Sequence, residues 1–423
     1  MIIYGRNTIA TESDTKQLPF LTDGLPGIGG VIKERPEDFF VEEIPLYECN
    51  GQGTHVYAEI EKRGIATLDA LLKISKSLGI SRRDIGYAGL KDARAVTRQW
   101  ISIEHTDPDR LGQLNLSGIK VCRIKGHTNK LKMGHLAGNR FVIRIRNLAV
   151  PAEQAENLTR KTMAILARRG VPNYFGPQRF GSRCDNQLLG AAIINRNPEQ
   201  FIDMFLGLPD PVDQSIIYAA RSLYEQDNFA KAYEAWPKHY HDQRRALRVL
   251  MKNPENKAHA FNVIDKNHKR FFVSAFQSDL FNQVVSARMP VIDKLLSGDL
   301  AYKHDNGACF RVVDAGAEQH RCNTFEISPT GPLYGYRMIE ASGLAGEVEK
   351  SVLDPTQLHR EDFRRMSHYR AKGARRPLRF QPRNIEIFRG ADVHGSYLQL
   401  EFILESGCYA TTLIREITKS NNL

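Results

Sequence analysis

The sequence of 423 residues lacks the short motifs that mark most cofactor- and metal-dependent enzymes. Its six cysteines include no C-x-x-C pair, which argues against a zinc ribbon or a redox dithiol. No phosphate-binding P-loop, HExxH, GxSxG or EF-hand pattern occurs. The stretch GLPGIGGVI has Ile32 where a dinucleotide-binding motif needs its last glycine, so we expect a flexible lead-in there. We therefore expect no cofactor and no metal, and any reaction must use side chains alone.

One short stretch, HYHD at His239 to Asp242, does bring two imidazoles and a carboxylate together. A metal site needs further ligands at helical or strand spacing, and the sequence offers none nearby. The end of a surface helix is the better interpretation of this stretch.

Long apolar runs are also missing. No stretch of about 18 apolar residues occurs, which argues against a membrane-spanning helix. The first residues, MIIYGRNTIATESD, have no apolar core of the kind found in secretory signals. Because the cysteines are scattered through a long chain, a reducing compartment is expected. We expect a cytoplasmic protein that does not use a membrane as a partner.

Positive charge is present in excess. Lysine and arginine total 59 against 48 acidic residues, a net charge of +11, which favours a polyanion such as nucleic acid, with a merely basic enzyme as the alternative. The basic segment, residues 360–383, has the densest run of cations: Arg360, Arg364, Arg365, Arg370, Lys372, Arg375, Arg376, Arg379 and Arg383. It predicts either a phosphate-binding surface or a solvated linker.

Hydrophobic periodicity predicts the elements of an α+β region in the first part of the chain. Alternation predicts a strand over Thr54–Glu61, and VTRQWISI and RFVIRIRNL predict two more. Leucines at helical spacing, among them Leu68 and Leu72, predict a helix from Thr67, its N-cap, to Gly79. A second helix is predicted over residues 152–169.

The middle of the chain differs, because residues 186–350 read mostly as helix with proline-rich breaks. The tail returns to alternation in SYLQLEFILESG, and CYATTLIREI predicts a helix capped near Thr411. A detour of roughly two hundred residues is longer than a loop. We therefore predict one α+β core that is interrupted by a helical insertion.

The stretch GYAGLKDARAVTRQW places a single carboxylate, Asp92, among Lys91, Arg94 and Arg98. A lone aspartate in a turn is usually a turn residue. A carboxylate kept ionised by neighbouring cations can instead act as a nucleophile or general base. Both interpretations fit the residues alone.

Two other stretches combine aromatic rings with amides or cations. GNRFVIRIR contains Asn139 and Phe141, and GVPNYFGPQRFGSRCDN contains the pair Gln178–Arg179. Such combinations suit a flipped base, which stacks on a ring and hydrogen-bonds at its edge. Core packing is the alternative for the aromatic residues.

Six stretches together resemble the TruD family of pseudouridine synthases, in the family's order and from about residue 27 to 418. They are VIKERPEDFFVEEIP, AGLKDARAVTRQW, GNRFVIRIR, GVPNYFGPQRFG, FQSDLFNQVVSARM and GCYATTLIREI. The resemblance implies an enzyme that detaches uracil, turns it and rejoins C5 to the ribose, without a cofactor or metal. It implies tRNA as the substrate, commonly uridine 13 in the D-arm.

The resemblance also implies roles for single residues. Asp92 matches the catalytic aspartate, either attacking C1′ or removing the 2′ proton. The substrate-binding residues implied or suggested are Lys33 (to Asp92 or phosphate), Phe39 (beneath the site), Asn139 (a polar contact), Phe141 and Tyr409 (stacking walls), Arg415 (a cation near Asp92), Gln178 and Arg179. Tyr409 departs from the phenylalanine of some relatives, so its hydroxyl needs a partner or water.

The fold implied is a pseudouridine-synthase-type domain with a mixed, mostly antiparallel sheet and a helix-rich TRUD insertion. We expect the catalytic domain over residues 1–169 and 372–423, and the insertion over residues 170–371. A non-catalytic RNA-binding protein and an RNA methyltransferase are the alternatives, although the second would need a glycine-rich nucleotide loop that is missing. The sequence does not indicate an oligomeric state.

Overall fold

The computed structural model describes residues 18–420, and the chain divides there into two units. The sheet unit comprises Phe20–Val171 and the described residues from Phe380 onward, and the helical unit comprises Pro172–Arg379. The chain passes between the units at the short strands β8 (Val171–Pro172) and β13 (Arg379–Phe380), numbered in chain order with all other elements. In residues 18–420, no helix is long and apolar enough to cross a membrane.

The sheet unit carries, within the described chain, a nine-stranded sheet. Its strands are β1 (Gly29–Val31), β2 (Phe39–Pro45), β3 (His55–Arg63), β4 (Ile85–Tyr87), β5 (Val96–Glu104), β6 (Ile119–His127), β7 (Leu136–Leu148), β14 (Arg383–Asp392) and β15 (Gly395–Glu405). Its helices are α1 (Thr67–Leu78), α2 (Pro108–Gly112), α3 (Ala152–Arg169) and α14 (Ala410–Thr418). The helix predicted to be capped near Thr411 begins at Ala410, with Tyr409 in the N-cap position.

The strands run in the order β14-β15-β7-β2-β5-β3-β6, with β1 beside β7 and β4 beside β5. All of these pairs are antiparallel except β2 with β5, so the predicted mixed, mostly antiparallel sheet is confirmed. The late strand β15 lies beside β7, with Leu398 opposite Ile145. One sheet therefore contains strands from both ends of the chain.

The expectation that GLPGIGGVI is a flexible lead-in was wrong. Gly29 and Val31 pair with β7, and Gly30 adopts a φ of +90°, a region that favours glycine. A Cβ atom on Gly30 would lie 2.7 Å from the carbonyl oxygen of Arg146. The glycines therefore allow a close backbone approach at the sheet.

Helix α1 covers one face of the sheet as its periodicity predicts, and Gly79 ends it in the left-handed region with φ +71°. Leu71 and Ile74 pack against Ile60 of β3 in an apolar cluster. Leu68 and Leu72, in contrast, are exposed. Thr67 is the first helical residue rather than the N-cap, which leaves its hydroxyl for another role.

The helical unit is richer in helix but also contains strands. Its helices are α4 (Asn186–Ile194), α5 (Pro198–Leu206), α6 (Ser215–Glu225), α7 (Phe229–Ala235), α8 (His241–Leu250), α9 (Lys257–Asn262), α10 (Lys266–Arg288), α11 (Ala315–Asn323), α12 (Gly343–Leu353) and α13 (Arg360–Arg365). Its strands are β9 (Leu300–Lys303), β10 (Cys309–Arg311), β11 (Ile327–Leu333) and β12 (Ala374–Pro377). The long helix α10 is largely buried, and a Cβ on Gly190 of α4 would lie only 2.1 Å from the Phe272 carbonyl oxygen.

The small sheet β10-β9-β11-β12 was missed by the prediction of mostly helix over residues 186–350. Its central strand β11 contains Pro329 and Pro332, and proline within a run normally argues against a central strand. Thr330 compensates, because its hydroxyl donates to the Leu300 carbonyl at 2.6 Å and accepts from Arg375 at 3.0 Å. Side-chain hydrogen bonds thus support a strand that periodicity does not reveal.

Candidate active site

The loop between β4 and β5 carries Asp92 in the sheet unit. The Lys33 ammonium group donates to Asp92 Oδ2, and the Arg94 backbone N–H donates to Oδ1 at 2.9 Å. The Asp92 side chain is 25% exposed and that of Lys33 is 14% exposed. Lys33 itself has φ +58°, an unusual backbone conformation for a residue with a side chain. The carboxylate is therefore oriented by two donors and still open to solvent.

A fully buried lysine holds the backbone beneath this carboxylate. Lys62 projects inward from β3, and its ammonium group donates to the carbonyl oxygens of Ile65 at 2.6 Å and Asp92 at 2.8 Å. The Lys91 carbonyl lies at 3.4 Å. These acceptors match the three donors of an ammonium group. Burial lowers the pKa of Lys62 to about 8, although the charge of Asp92 opposes the shift.

The Thr67 hydroxyl fixes the same loop from α1. It accepts from the Lys91 N–H at 2.9 Å and donates to Gln99 Oε1 at 2.9 Å. The Lys91 side chain turns to the interior and pairs with Glu43 at 2.6 Å. Glu43 also accepts from the Trp100 N–H at 3.3 Å. Three elements of the sheet unit therefore position the loop that carries Asp92.

The ionisation state of Asp92 follows from opposing effects. Burial alone would raise its pKa, but the hydrogen bonds from Lys33 and the Arg94 N–H, with the charges of Lys33 and Lys62, outweigh that effect. The pKa of Asp92 is consequently lowered, and the group is a carboxylate at neutral pH. An anionic, partly exposed carboxylate can serve as a nucleophile or general base.

Aromatic rings lie directly next to this pair. The Lys33 ammonium group is 4.4 Å from the centroid of the Phe39 ring. Phe39 meets Phe141 edge-on at 6.2 Å, and Phe141 stacks on Phe402 at 5.4 Å. Phe141 is only 7% exposed, so it lies within an aromatic layer and offers little open face.

The other residues expected at the site in the sheet unit have different environments. The Asn139 side-chain oxygen is buried and has no hydrogen-bond partner within the described part of the chain. Tyr409 is 38% exposed at the start of α14. The Arg415 guanidinium group lies over the Phe20 ring at 3.9 Å, whereas the cations that lower the pKa of Asp92 are Lys33 and Lys62.

Gln178 and Arg179 belong to the helical unit and lie in a 3₁₀ turn, Pro177–Arg179. Gln178 is exposed. The Arg179 guanidinium group donates to the hydroxyls of Ser274 and Ser278 of α10. Arg179 therefore contributes to packing within its own unit.

The basic segment proves to be partly internal. Arg375 donates to both carboxylate oxygens of Glu349, at 2.6 and 2.9 Å, and its side chain is almost buried. Arg379 is fully buried, with its guanidinium group over Phe325 at 4.1 Å and a hydrogen bond to the Cys322 carbonyl at 2.6 Å. The expectation of a phosphate-binding run therefore fails for these two residues. The exposed cations of the segment are Arg360, Arg364, Arg365, Arg370, Lys372 and Arg383.

The carboxylate of the HYHD stretch, Asp242, has structural contacts. Asp242 is buried, accepts from the Asp265 N–H at 3.2 Å and contacts the His268 ring nitrogen at 2.6 Å. Across residues 18–420, no group of three His, Cys, Asp or Glu side chains is arranged to hold a metal ion.

Two supporting residues, Lys62 and Glu43, escaped the sequence analysis. Lys62 follows Ala58 and Ile60 on the inward face of the same alternating strand, so a lysine in a buried register was a usable signal. Glu43 similarly follows Phe39 and Val41 on the buried side of β2. In both cases, the alternation of the strand places a charged side chain on the buried face, where it needs a partner in the interior.

Comparisons with known proteins agree with this geometry. A family profile described as tRNA pseudouridine synthase D (TruD) matches residues 17–417. The chain is 44% identical to tRNA pseudouridine synthase D of Geotalea daltonii over 402 residues, which covers 95% of this chain and 100% of that protein. It is 37% identical to a protein of the same name from Thermus thermophilus, covering 96% and 93% of the two chains. A crystal structure from Methanosarcina mazei assigned to TruD superposes with a TM-score of 0.83 at 30% identity, covering 95% of this chain and 96% of that one.

Proposed function

Because the chain belongs to the TruD family of tRNA pseudouridine synthases, we propose that it converts uridine 13 in the D-arm of tRNA to pseudouridine, with Asp92 as the catalytic residue. The family makes the protein an isomerase. The choice of uridine 13 rests on the resemblance of the six motifs. A cytoplasmic location accords with tRNA as the substrate.

One observation carries the assignment of Asp92. The Asp92 carboxylate is ionised and 25% exposed, and Lys33, the Arg94 N–H and Lys62 keep it charged and oriented. From that position, the carboxylate attacks C1′ of the uridine or removes the 2′ proton, and either step releases uracil. Lys33 then offsets negative charge near the detached base.

We assign recognition of the uracil ring to four further residues of the sheet unit. Its N3–H is a hydrogen-bond donor, and the buried Asn139 oxygen is an acceptor without a partner in residues 18–420. Tyr409 is exposed enough to stack on the ring, and Phe39 and Phe141 form the apolar layer below Lys33. Arg415 and Arg179 pack within their own units, and Gln178 is exposed, so these three residues stay predicted substrate contacts.

Tritium release tests the proposed function. The purified protein is incubated with a tRNA transcript made with 5-tritiated uridine and with a matched transcript that carries cytidine at position 13. We expect the first transcript to release tritium. The second transcript should release one tritium fewer per tRNA molecule, because it lacks the uridine at position 13. Equal release from both would overturn the choice of uridine 13. Binding without release from either transcript would instead favour a non-catalytic RNA-binding protein.

A further inference from the structure

Helix α8 of the helical unit bears a concentrated group of positive charges outside the site of Asp92. A groove of about 360 Å³ is lined by Lys238, His241, Arg244, Arg245 and Arg248. No acidic residue lines it within the described part of the chain. A groove lined by four cations and a histidine, without an acidic residue, attracts an anionic ligand.

Two arginines of this groove, Arg244 and Arg248, differ from most buried arginines of the described chain. Arg288 and Arg375, for example, pair with the carboxylates of Asp299 and Glu349. Arg244 instead donates to the carbonyl oxygens of Tyr233 and Trp236, at 2.6 and 2.7 Å. These neutral acceptors fix the guanidinium group without cancelling its charge.

Tyr233 organises two of the cations. The Arg244 guanidinium carbon lies 3.9 Å from the centroid of the Tyr233 ring, and that of Arg248 lies 5.3 Å away. The Tyr233 hydroxyl accepts from two nitrogens of Arg248, at 2.8 and 3.2 Å. Hydrogen bonding from Arg248 lowers the pKa of Tyr233.

One arginine of the groove has an acidic partner. Arg245 lies 3.5 Å from the buried carboxylate of Asp242, which His268 and the Asp265 N–H also contact. In residues 18–420, Arg244 and Arg248 have no carboxylate within ion-pair distance. The charges of Arg244 and Arg248 are therefore held in place by neutral groups and left available.

We propose that the α8 groove binds the phosphodiester backbone of the RNA substrate. The inference rests on the proposed function, since it assigns the groove to the same RNA whose uridine reaches Asp92. Arginine suits this ligand because its planar donor face matches phosphate oxygens. The Tyr233 ring and hydroxyl hold Arg244 and Arg248 in fixed positions for such a contact. The contact is independent of base sequence, so it contributes affinity and orientation.

The test compares salt dependence in three variants, with an unmodified tRNA transcript as the probe. The groove variant is Lys238→Gln with Arg245→Gln and Arg248→Gln, which spares Arg244 because that residue supports the chain locally. The control removes the same charge from exposed positions on α1 and α3, with Lys73→Gln, Lys161→Gln and Arg168→Gln. A third variant, Arg245→Lys with Arg248→Lys, keeps the charge of the groove. Circular dichroism shows whether each variant is folded.

We expect the slope of log Kd against log salt to fall in magnitude by about two to three in the groove variant, because three cations are removed. The charge-keeping variant should retain the slope of the unmodified protein, and the control should change it by less than about one. Equal changes in the groove variant and the control would overturn the proposal. Should the groove variant not fold, Arg248→Gln alone must lower the slope by about one, and an unchanged slope would overturn the proposal.

Tritium release separates this proposal from the proposed function. Release by the unmodified protein together with an unaltered slope in the groove variant would reject the groove and keep the function. A lowered slope without any release by the unmodified protein would support the groove as an RNA-phosphate site and reject the isomerase.

Discussion

Lys91 and Asp92 are adjacent in one loop, and each belongs to a lysine–carboxylate pair. The two pairs differ in how far their side chains are exposed to solvent. The Lys33–Asp92 pair keeps 14% and 25% of its side-chain surfaces exposed, whereas the Lys91–Glu43 pair keeps 6% and 1%. Burial raises the pKa of Glu43 against the opposing effect of Lys91, while the pKa of Asp92 is lowered. A carboxylate that reacts must be reachable, and one that holds a loop need not be. The difference accords with the proposal that Asp92 reacts while Glu43 supports the loop.

The largest expected effect on stability comes from breaking the buried pair. Glu43→Gln leaves the Lys91 ammonium group in the interior without its carboxylate. Such a loss lowers the free energy of unfolding by about 3–5 kcal/mol. Urea unfolding followed by circular dichroism measures the change. The matched control is Glu42→Gln, because Glu42 is the adjacent residue but its side chain is 25% exposed and shared by Arg98 and Arg140. That control should cost about 1 kcal/mol or less. Equal losses of unfolding free energy in the two variants would contradict the claim that Glu43 supports the loop from the interior.

A smaller effect is expected from the titration of Lys62. Its pKa is about 8 in the folded protein against 10.5 for an ordinary lysine, so between these values the unfolded chain binds more protons. The free energy of unfolding should therefore rise with pH in this window, by up to about 1.4 kcal/mol per pH unit from this group. Lys62→Met should lack that rise in a series of urea titrations. Parallel curves for the two proteins would show that the ammonium group is not buried as described.

The smallest change in stability is expected at Asp92. Asp92→Asn keeps an oxygen that accepts from the Arg94 N–H and loses only a partly exposed ion pair. We expect a change of about 1 kcal/mol or less in the free energy of unfolding. A cost as large as that of Glu43→Gln would instead place Asp92 among the residues that support the fold.

Local patterns predicted the sheet unit well. Leu398, Leu400, Phe402 and Leu404 alternate in sequence, and all four are buried in β15. Gly79 ends α1 because glycine adopts the left-handed conformation readily. The family resemblance, confirmed by the comparisons, covered nearly the whole chain. Signals of this kind depend on neighbours within a few residues.

Long-range contacts were the part that the sequence could not predict. Glu43 and Lys91 are 48 positions apart, and nothing local pairs them. Thr67 resembles an N-cap because a cap and a loop anchor use the same hydroxyl. Arg375 and Arg379 belong to a run of cations that looks exposed, yet Glu349 and the Cys322 carbonyl hold them inside. Strand β11 was not predicted because it contains two prolines, which lack a backbone N–H donor. A strand tolerates them only when its neighbours in the fold supply other hydrogen bonds.

The most direct test of Asp92 as the reacting carboxylate is the single-turnover rate of tritium release by Asp92→Asn at saturating tRNA, measured beside the unmodified protein. We predict that the variant binds the transcript and that its rate falls by at least about 100-fold, because the amide can neither attack C1′ nor accept the 2′ proton. A rate equal to that of the unmodified protein would contradict the account and remove Asp92 from the reaction.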